Sequence, residues 1–297
     1  MVAVDRGRFT CEVGDRVVLA VRARELGRKA VVVGDRVALV GDVSGSTDTL
    51  ARLVRVEPRV SLRRRSADDN DPVERAIVAN ADQLGIVCAV ANPEPRTRLI
   101  DRYLVAAYDG GLEPLLILTK ADLADPAPLL EVYGALELRV VVTADREPGQ
   151  ELRGLLRDRT TVLAGHSGVG KSTLINALVP GALRATGAVN EVTGRGRHVS
   201  TSTVVFDLPD GGRVIDTPGV RSFGLAHVDL ARVVAAFPDL QPGTADCPRA
   251  CTHQPTAAVD DDIATCALDE WVADGHADAA RLESLRRLLW ASKRPDE

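Results

Sequence analysis

The sequence predicts a multidomain fold: an all-β barrel, then an α/β domain, then a mainly α domain. Three observations carry this reading of the 297 residues. The first 65 are β-rich and broken by Gly-Asp turns. Residues 161–178 read as a short apolar strand, a glycine-rich turn and a helix. Cys247, Cys251, His253 and Cys266 cluster toward the C-terminus. The domains are placed at 1–65, 72–225 and 226–297, with the polar stretch 66–72 as a linker.

In the first domain, 15–21, 30–33, 36–40 and 50–56 have strand composition. Val-Gly-Asp-Arg-Val occurs at 13–17 and again at 33–37, read as two strand-entry turns rather than a repeat. A small barrel of about 60 residues with an oligonucleotide-binding face fits an OB-fold. Residues 1–65 carry 14 Arg or Lys against 8 Asp or Glu, net +6; the whole chain is −5, so the remainder is −11. Such asymmetry predicts a basic module attached to an acidic body. Arg22, Arg24, Arg28 and Lys29 form one cluster, and Arg59, Arg63, Arg64 and Arg65 another. They suit salt-dependent contact with RNA phosphates; a solvated face with a charged linker is the plain alternative. Phe9 is the one aromatic residue in this domain, so base stacking contributes little.

The run 84–90 opens the α/β sheet. Thr161-Val162-Leu163-Ala164 leads into Gly165-His166-Ser167-Gly168-Val169-Gly170-Lys171-Ser172, a G-x-x-x-x-G-K-[ST] phosphate loop, and then into Thr173 and a helix. Glycines let backbone N–H groups turn toward phosphate oxygens, and a helix N-terminus favours anions. Lys171 is assigned to the β- and γ-phosphates and Ser172 to magnesium. Asp216-Thr217-Pro218-Gly219 ends the apolar run 213–215 as a D-x-x-G pattern. Asp216 would hold magnesium through water, and the Gly219 N–H would sense the γ-phosphate.

Leu115-Leu116-Ile117-Leu118 is another buried-strand run, ending in Thr119-Lys120-Ala121-Asp122. That tetrapeptide resembles the Asn-Lys-x-Asp guanine reader of GTPases, with Thr119 in place of Asn. The Asp122 carboxylate can accept from guanine N1 and N2, donors that adenine lacks, so adenine is rejected. Lys120 would pack over the base. Thr143 and Ala144, at the end of the strand begun by 140–142, add the last base contact. The base reader precedes the phosphate loop, the reverse of the usual GTPase order. The α/β domain therefore reads as a circularly permuted P-loop GTPase.

Between the phosphate loop and Asp216, residues 193–201 are polar, basic and glycine-rich, as a switch loop should be. Thr201 is chosen to complete the magnesium shell, with Ser200 as runner-up. Val220 stands where many GTPases carry a water-positioning Gln. His198 is assigned to the water as the catalytic residue; a solvent-exposed or RNA-contacting histidine is the alternative.

Three thiolates and an imidazole make a closed tetrahedral site for zinc. Cys266 is the fourth ligand, after an interval containing Asp260-Asp261-Asp262, and His276 is the substitute. With no open position, such a zinc is structural. Leu282, Leu285, Leu288 and Leu289 form a packing stripe on the last helix, while Arg286, Arg287, Lys293 and Arg294 face either RNA or solvent. Five cysteines, three of them beside a histidine, suit a metal site in a reducing compartment. No run reaches the ~18 apolar residues of a membrane helix, and residues 1–8 lack an apolar signal core. A cytoplasmic monomer with no membrane partner is the expectation.

Val33-Gly34-Asp35, Asn80-Ala81-Asp82-Gln83, the motifs at 119–122 and 165–172, Gly196-Arg197-His198, the run 216–225 and the cysteine cluster follow one another over nearly the whole chain. In that order the sequence resembles the RsgA family of circularly permuted GTPases. The resemblance implies an OB-fold, a permuted GTPase domain and a zinc domain. It also implies binding of GTP and GDP, slow hydrolysis stimulated by the small ribosomal subunit, and a role in maturation of that subunit on its rRNA. His166 replaces the family's usual Gln, Val199-Ser200-Thr201 replaces a Thr run, and the zinc spacing is altered. A nucleotide-sensing RNA-binding factor without turnover and a P-loop ATPase are the competing readings; equal binding of ATP and GTP would favour the latter.

Overall fold

A computed structural model describes residues 1–5, 7–26, 31–46, 49–65, 75–182, 203–217, 225, 227–255 and 266–293. The first sheet contains β1 (Ala3–Asp5), β2 (Arg8–Val13), β3 (Arg16–Arg22), β4 (Val37–Val40) and β5 (Ala51–Val56). Its order is β1-β2-β3-β5-β4, antiparallel except for β3 with β5. Alternating residues turn inward, and Phe9, Cys11, Val18, Ala20, Val31, Ala51 and Leu53 make a small core. Gly14, at φ 58°, makes the turn from β2 to β3.

The second Gly-Asp turn does something else. Of the strand expected over 30–33, residue 30 lies outside the described residues and 31–33 form no strand; Val33 makes an isolated bridge to Val78. Gly34 turns the chain there at φ 87°, so close to Ala79 that a Cβ would lie 1.8 Å from its carbonyl oxygen. Strands β6 (Leu62–Arg65) and β7 (Arg75–Ala79) pair antiparallel across the expected linker. Residues 66–72 themselves lie outside the described residues.

The second sheet has six strands: β8 (Gln83–Ala89), β9 (Glu113–Thr119), β10 (Arg139–Val142), β11 (Thr160–Ala164), β12 (Val204–Asp207) and β13 (Arg213–Asp216). Helices α1 (Thr97–Asp109), α2 (Ala127–Gly134), α3 (Gly149–Leu156) and α4 (Lys171–Leu178) accompany it. The order is β10-β9-β8-β11-β13-β12, parallel except for β12. Every residue of β8 is buried, as its apolar run requires in a sheet covered on both faces. The chain runs outward from β8 to β10, then returns to the other side of β8 as β11. Ligands of open α/β sheets bind at that reversal, outside the carboxyl ends of the strands.

The C-terminal part holds α5 (Leu230–Ala235), a 3-10 turn (Gln241–Asp246), α6 (Ala267–Ala273) and α7 (Ala279–Ala291). The Asp278 carboxylate caps α7 by accepting the Ala280 N–H at 2.7 Å. Leu282, Leu285, Leu288 and Leu289 are buried in the same cluster as Ile86, Leu104 and Leu116. The last helix and the central sheet thus share one core. Arg286 and Arg287 do not form an open RNA face. Arg286 donates to the His253 carbonyl at 2.8 Å and pairs with Asp269 at 2.8 Å. Arg287 pairs with Asp101 at 3.3 Å and lies over the Tyr133 ring. Arg294 lies outside the described residues. No described helix is long and apolar enough to cross a membrane.

Candidate nucleotide and metal sites

The phosphate loop leaves β11 at Gly165 and enters α4 at Lys171. Gly165, Gly168 and Gly170 have φ of 149°, 84° and 99°, values that a residue with a Cβ avoids. At Gly165 a Cβ would also lie 2.3 Å from the Val87 carbonyl oxygen, so glycine lets the loop lie against β8. Val169 turns inward and is fully buried. The Lys171 ammonium donates to the carbonyls of Gly165 and His166. Burial holds the His166 imidazole below its usual pKa, and Arg96, Lys171 and Lys120 add to that.

Thr119, the departure from Asn, bridges the two loops. Its Oγ1 donates to the Val169 carbonyl at 2.6 Å. Lys120 arches over the same loop and donates to the carbonyls of Gly168, at 2.9 Å, and Asn92. The Asp122 carboxylate accepts the Asp145 N–H at 3.1 Å. Thr143 donates to Leu118 from its N–H at 2.7 Å and accepts the Ala121 N–H on its carbonyl, which fastens the end of β10 to the turn at residues 119–122. Thr119, Lys120, Asp122, Thr143, His166, Ser167, Gly168, Gly170, Lys171, Ser172 and Thr173 line one cavity of about 690 Å³. Ala144 does not line it; its carbonyl closes the turn by accepting the Glu147 N–H at 2.9 Å.

Asp216 ends β13, with its Cα in register with Leu163 of β11. It thus stands at the strand end beside the phosphate loop. A carboxylate and the Ser172 hydroxyl flanking a phosphate loop are hard oxygen donors that fit magnesium. His198, Thr201 and Gly219 lie outside the described residues.

The ligand atoms of Cys247, Cys251, His253 and Cys266 all lie within 4.8 Å of one another. Cys247 Sγ is 3.5 Å from His253 Nδ1 and 3.9 Å from Cys266 Sγ, and Cys266 Sγ is 3.7 Å from His253 Nδ1. A tetrahedron with zinc–sulfur bonds of about 2.3 Å has edges of about 3.8 Å, so this quartet fits zinc. His276 is used elsewhere, stacked on Trp271 with ring centroids 4.1 Å apart. Burial pushes the Cys266 thiol up to about 12 and also raises Cys247. Burial, with Arg286 and Lys293, lowers His253, a shift toward the neutral imidazole that binds metals.

Residues 56–226 match the family model of the RsgA GTPase. A protein of Ectopseudomonas mendocina named small ribosomal subunit biogenesis GTPase RsgA is 39% identical over 269 residues, 88% of this chain and 74% of that one. The chain belongs to the RsgA GTPase family. An RsgA protein of Chlorobaculum parvum is 37% identical across 95% of this chain and 93% of its own. The crystal structure of YjeQ from Thermotoga maritima superposes with a TM-score of 0.65 at 24% identity, covering 97% of this chain and 95% of that one. The structure of YloQ, described as a circularly permuted GTPase, gives 0.66 at 23%, covering 100% and 96%. The fold is therefore that of a circularly permuted GTPase.

Leu123, Arg146, Glu147 and Leu174 also line the cavity and were not anticipated. Two of them follow Asp145 and Arg146, non-glycine residues at φ 52° and 65°. That tight turn aims side chains into the cavity, and nothing in their residue types announces it. The one available signal is adjacency to Asp122, Ala144 and Thr173.

Proposed function

We propose that this protein hydrolyses GTP as a maturation factor of the small ribosomal subunit, binding its rRNA and turning over faster on the subunit. The observation that carries the GTP reading is the single cavity shared by the base-reading turn and the phosphate loop, with Thr119 tying one to the other. The name of the relatives supports the ribosomal part. The five-stranded order β1-β2-β3-β5-β4, with β3 and β5 parallel, supports an OB-fold barrel over 1–65. The GTPase domain is taken as 72–225 and the zinc domain as 226–297. The protein is read as a cytoplasmic monomer without a membrane partner.

The residues then act as follows. Asp122 reads the guanine edge, Lys120 covers the base, and Thr143 and Ala144 close the pocket. The loop from Gly165 to Thr173 wraps the phosphates. Lys171 exchanges the carbonyls of Gly165 and His166 for β- and γ-phosphate oxygens. Magnesium, held by Ser172, Thr201 and Asp216, would neutralise charge that develops on the transferred phosphoryl group. The Gly219 N–H contacts the γ-phosphate, and His198 holds the attacking water. Cys247, Cys251, His253 and Cys266 would hold a structural zinc that stabilises the loops before α6. GTP orders the switch and tightens the grip on rRNA; hydrolysis relaxes it and releases the protein.

Co-sedimentation with purified ribosomal subunits tests this. The protein should pellet with small subunits in a non-hydrolysable GTP analogue, much less in GDP, and less as salt rises. Equal pelleting with either nucleotide, or equal affinity for large subunits, would contradict the reading.

A further inference from the structure

Two motifs singled out in the sequence, Val33-Gly34-Asp35 and Asn80-Ala81-Asp82-Gln83, contribute nothing to the lining of the nucleotide cavity. Their contacts give them another role. Asp35 is fully buried and takes a fork of hydrogen bonds from Arg59, Nε to Oδ1 at 2.7 Å and Nη2 to Oδ2 at 2.9 Å. It also accepts the Val32 N–H at 2.8 Å, which fixes the turn at Gly34. Asn80 grips that turn from the other side. Its Nδ2 donates to the Gly34 carbonyl at 3.0 Å, and its Oδ1 accepts the Val60 N–H at 2.8 Å. Asn80 does this at φ 53°, a conformation Asn adopts more readily than most residues.

The next residues reach the opposite way. The Asp82 N–H donates to the Thr160 carbonyl at 2.9 Å, while its Oδ2 accepts the Thr160 N–H at 2.7 Å. Gln83 Nε2 donates to Thr161 Oγ1 at 2.8 Å and to the Leu155 carbonyl at 3.0 Å, with Gln83 and Thr161 both buried. Thr160 and Thr161 begin β11, and its last residue, Ala164, precedes Gly165. Asn80, Asp82 and Gln83 therefore hold the Gly34 turn, which leads into β4 of the N-terminal sheet, at one end and the phosphate-loop strand at the other. A second tie runs in parallel: Glu12 of β2 pairs at 2.5 Å with Arg213, the first residue of the strand that ends in Asp216.

We propose that Asn80, Asp82 and Gln83 are positioning residues that lock the N-terminal sheet to the phosphate-loop strand, so that occupancy of the sheet and occupancy of the nucleotide cavity bias each other. The inference rests on the nucleotide reading of the cavity and takes its sheet occupant from the RNA reading of the N-terminal domain, while the test below needs the nucleotide alone. The Gln83–Thr161 bond is buried, and a buried polar bond has few alternative geometries. A tilt of the sheet must therefore carry Thr160 and Thr161 with it or break those bonds. Any resulting coupling acts equally in both directions.

Hydrogen exchange of amides in residues 8–22, with and without a non-hydrolysable GTP analogue, tests the lock. Wild type, Asn80→Ser and Gln83→Leu would be compared, with melting temperature and analogue affinity measured for each. The analogue should change wild-type exchange there by about fivefold or more, and by under about twofold in both variants, while the analogue Kd stays within about threefold. If Asn80→Ser fails to fold, Gln83→Leu, which keeps the side chain close in size, decides. An undiminished response in the variants would overturn the proposal, as would a flat response in wild type that binds the analogue. Wild type that does not bind the analogue would overturn both this proposal and the nucleotide reading, and the affinity measurement separates that outcome from the others.

Discussion

The nucleotide cavity and the cysteine cluster are assembled in opposite ways. The cavity sits at the carboxyl ends of β9, β10 and β11, and glycine backbone at Gly165, Gly168 and Gly170 sets its shape. Its ammonium groups rest on main-chain carbonyls at both Lys120 and Lys171. The cluster is framed instead by loop residues 247–253 and by Cys266 at the start of α6. A site framed by a sheet keeps its shape without its ligand. A site framed by loops and buried thiols depends on the ion that draws the thiol protons off.

The largest effect should come from the loop-framed site. Cys266→Ser should abolish stoichiometric zinc, read by elemental analysis, and cost about 5 kcal/mol or more in denaturant unfolding. GTP affinity should hold within about threefold if the sheet alone frames the cavity. A parallel loss of GTP binding would break the contrast between the two regions.

Next comes the cavity itself. Asp122→Ala should erase about a thousandfold or more of guanine-over-adenine preference, with little change in melting temperature. Competition between labelled GTP and ATP reads this directly, and retained preference would remove Asp122 from base recognition.

A smaller effect lies between the two regions, where α1, α2 and α7 meet. Burial raises the Asp101 carboxyl to about 6, against the opposing pull of Arg287. A carboxyl that holds its proton more tightly in the folded state stabilises at low pH and loses that contribution as pH rises through about 6. Relative to Asp101→Asn, wild type should lose about 2 kcal/mol between about pH 4.5 and about pH 7.5. The opposite slope in urea titrations would show that the Arg287 pairing outweighs burial. The smallest expected change is Gly165→Ala, which should cost about 1–2 kcal/mol in stability and weaken GTP binding about tenfold, because its Cβ meets the Val87 carbonyl.

These sites differ in how far the sequence discloses them. The phosphate loop and the cysteines up to His253 are legible because their spacing is local and their residue types are bound to one chemistry. The sequence assigns Cys266 as the fourth ligand with His276 as its substitute, and the fold separates the two by bringing Cys266 back to Cys247 and stacking His276 on Trp271. Arg286 and Arg287 were open to an RNA role because their partners, Asp269 and Asp101, are 17 and 186 residues away. The stretch 30–33 has strand composition, yet Gly34 must dock on Ala79, and tertiary contact overrides β propensity. The common core of α7 and the central sheet was also hidden, because a leucine stripe names a buried face and not what buries it.

The most direct test of the account is phosphate release from GTP and from ATP, each with and without purified small ribosomal subunits. The account predicts slow turnover of GTP alone, no comparable turnover of ATP, and a steep rise with small subunits. Comparable ATP turnover would contradict the role of Thr119, Lys120 and Asp122. GTP turnover indifferent to small subunits would contradict the ribosomal function.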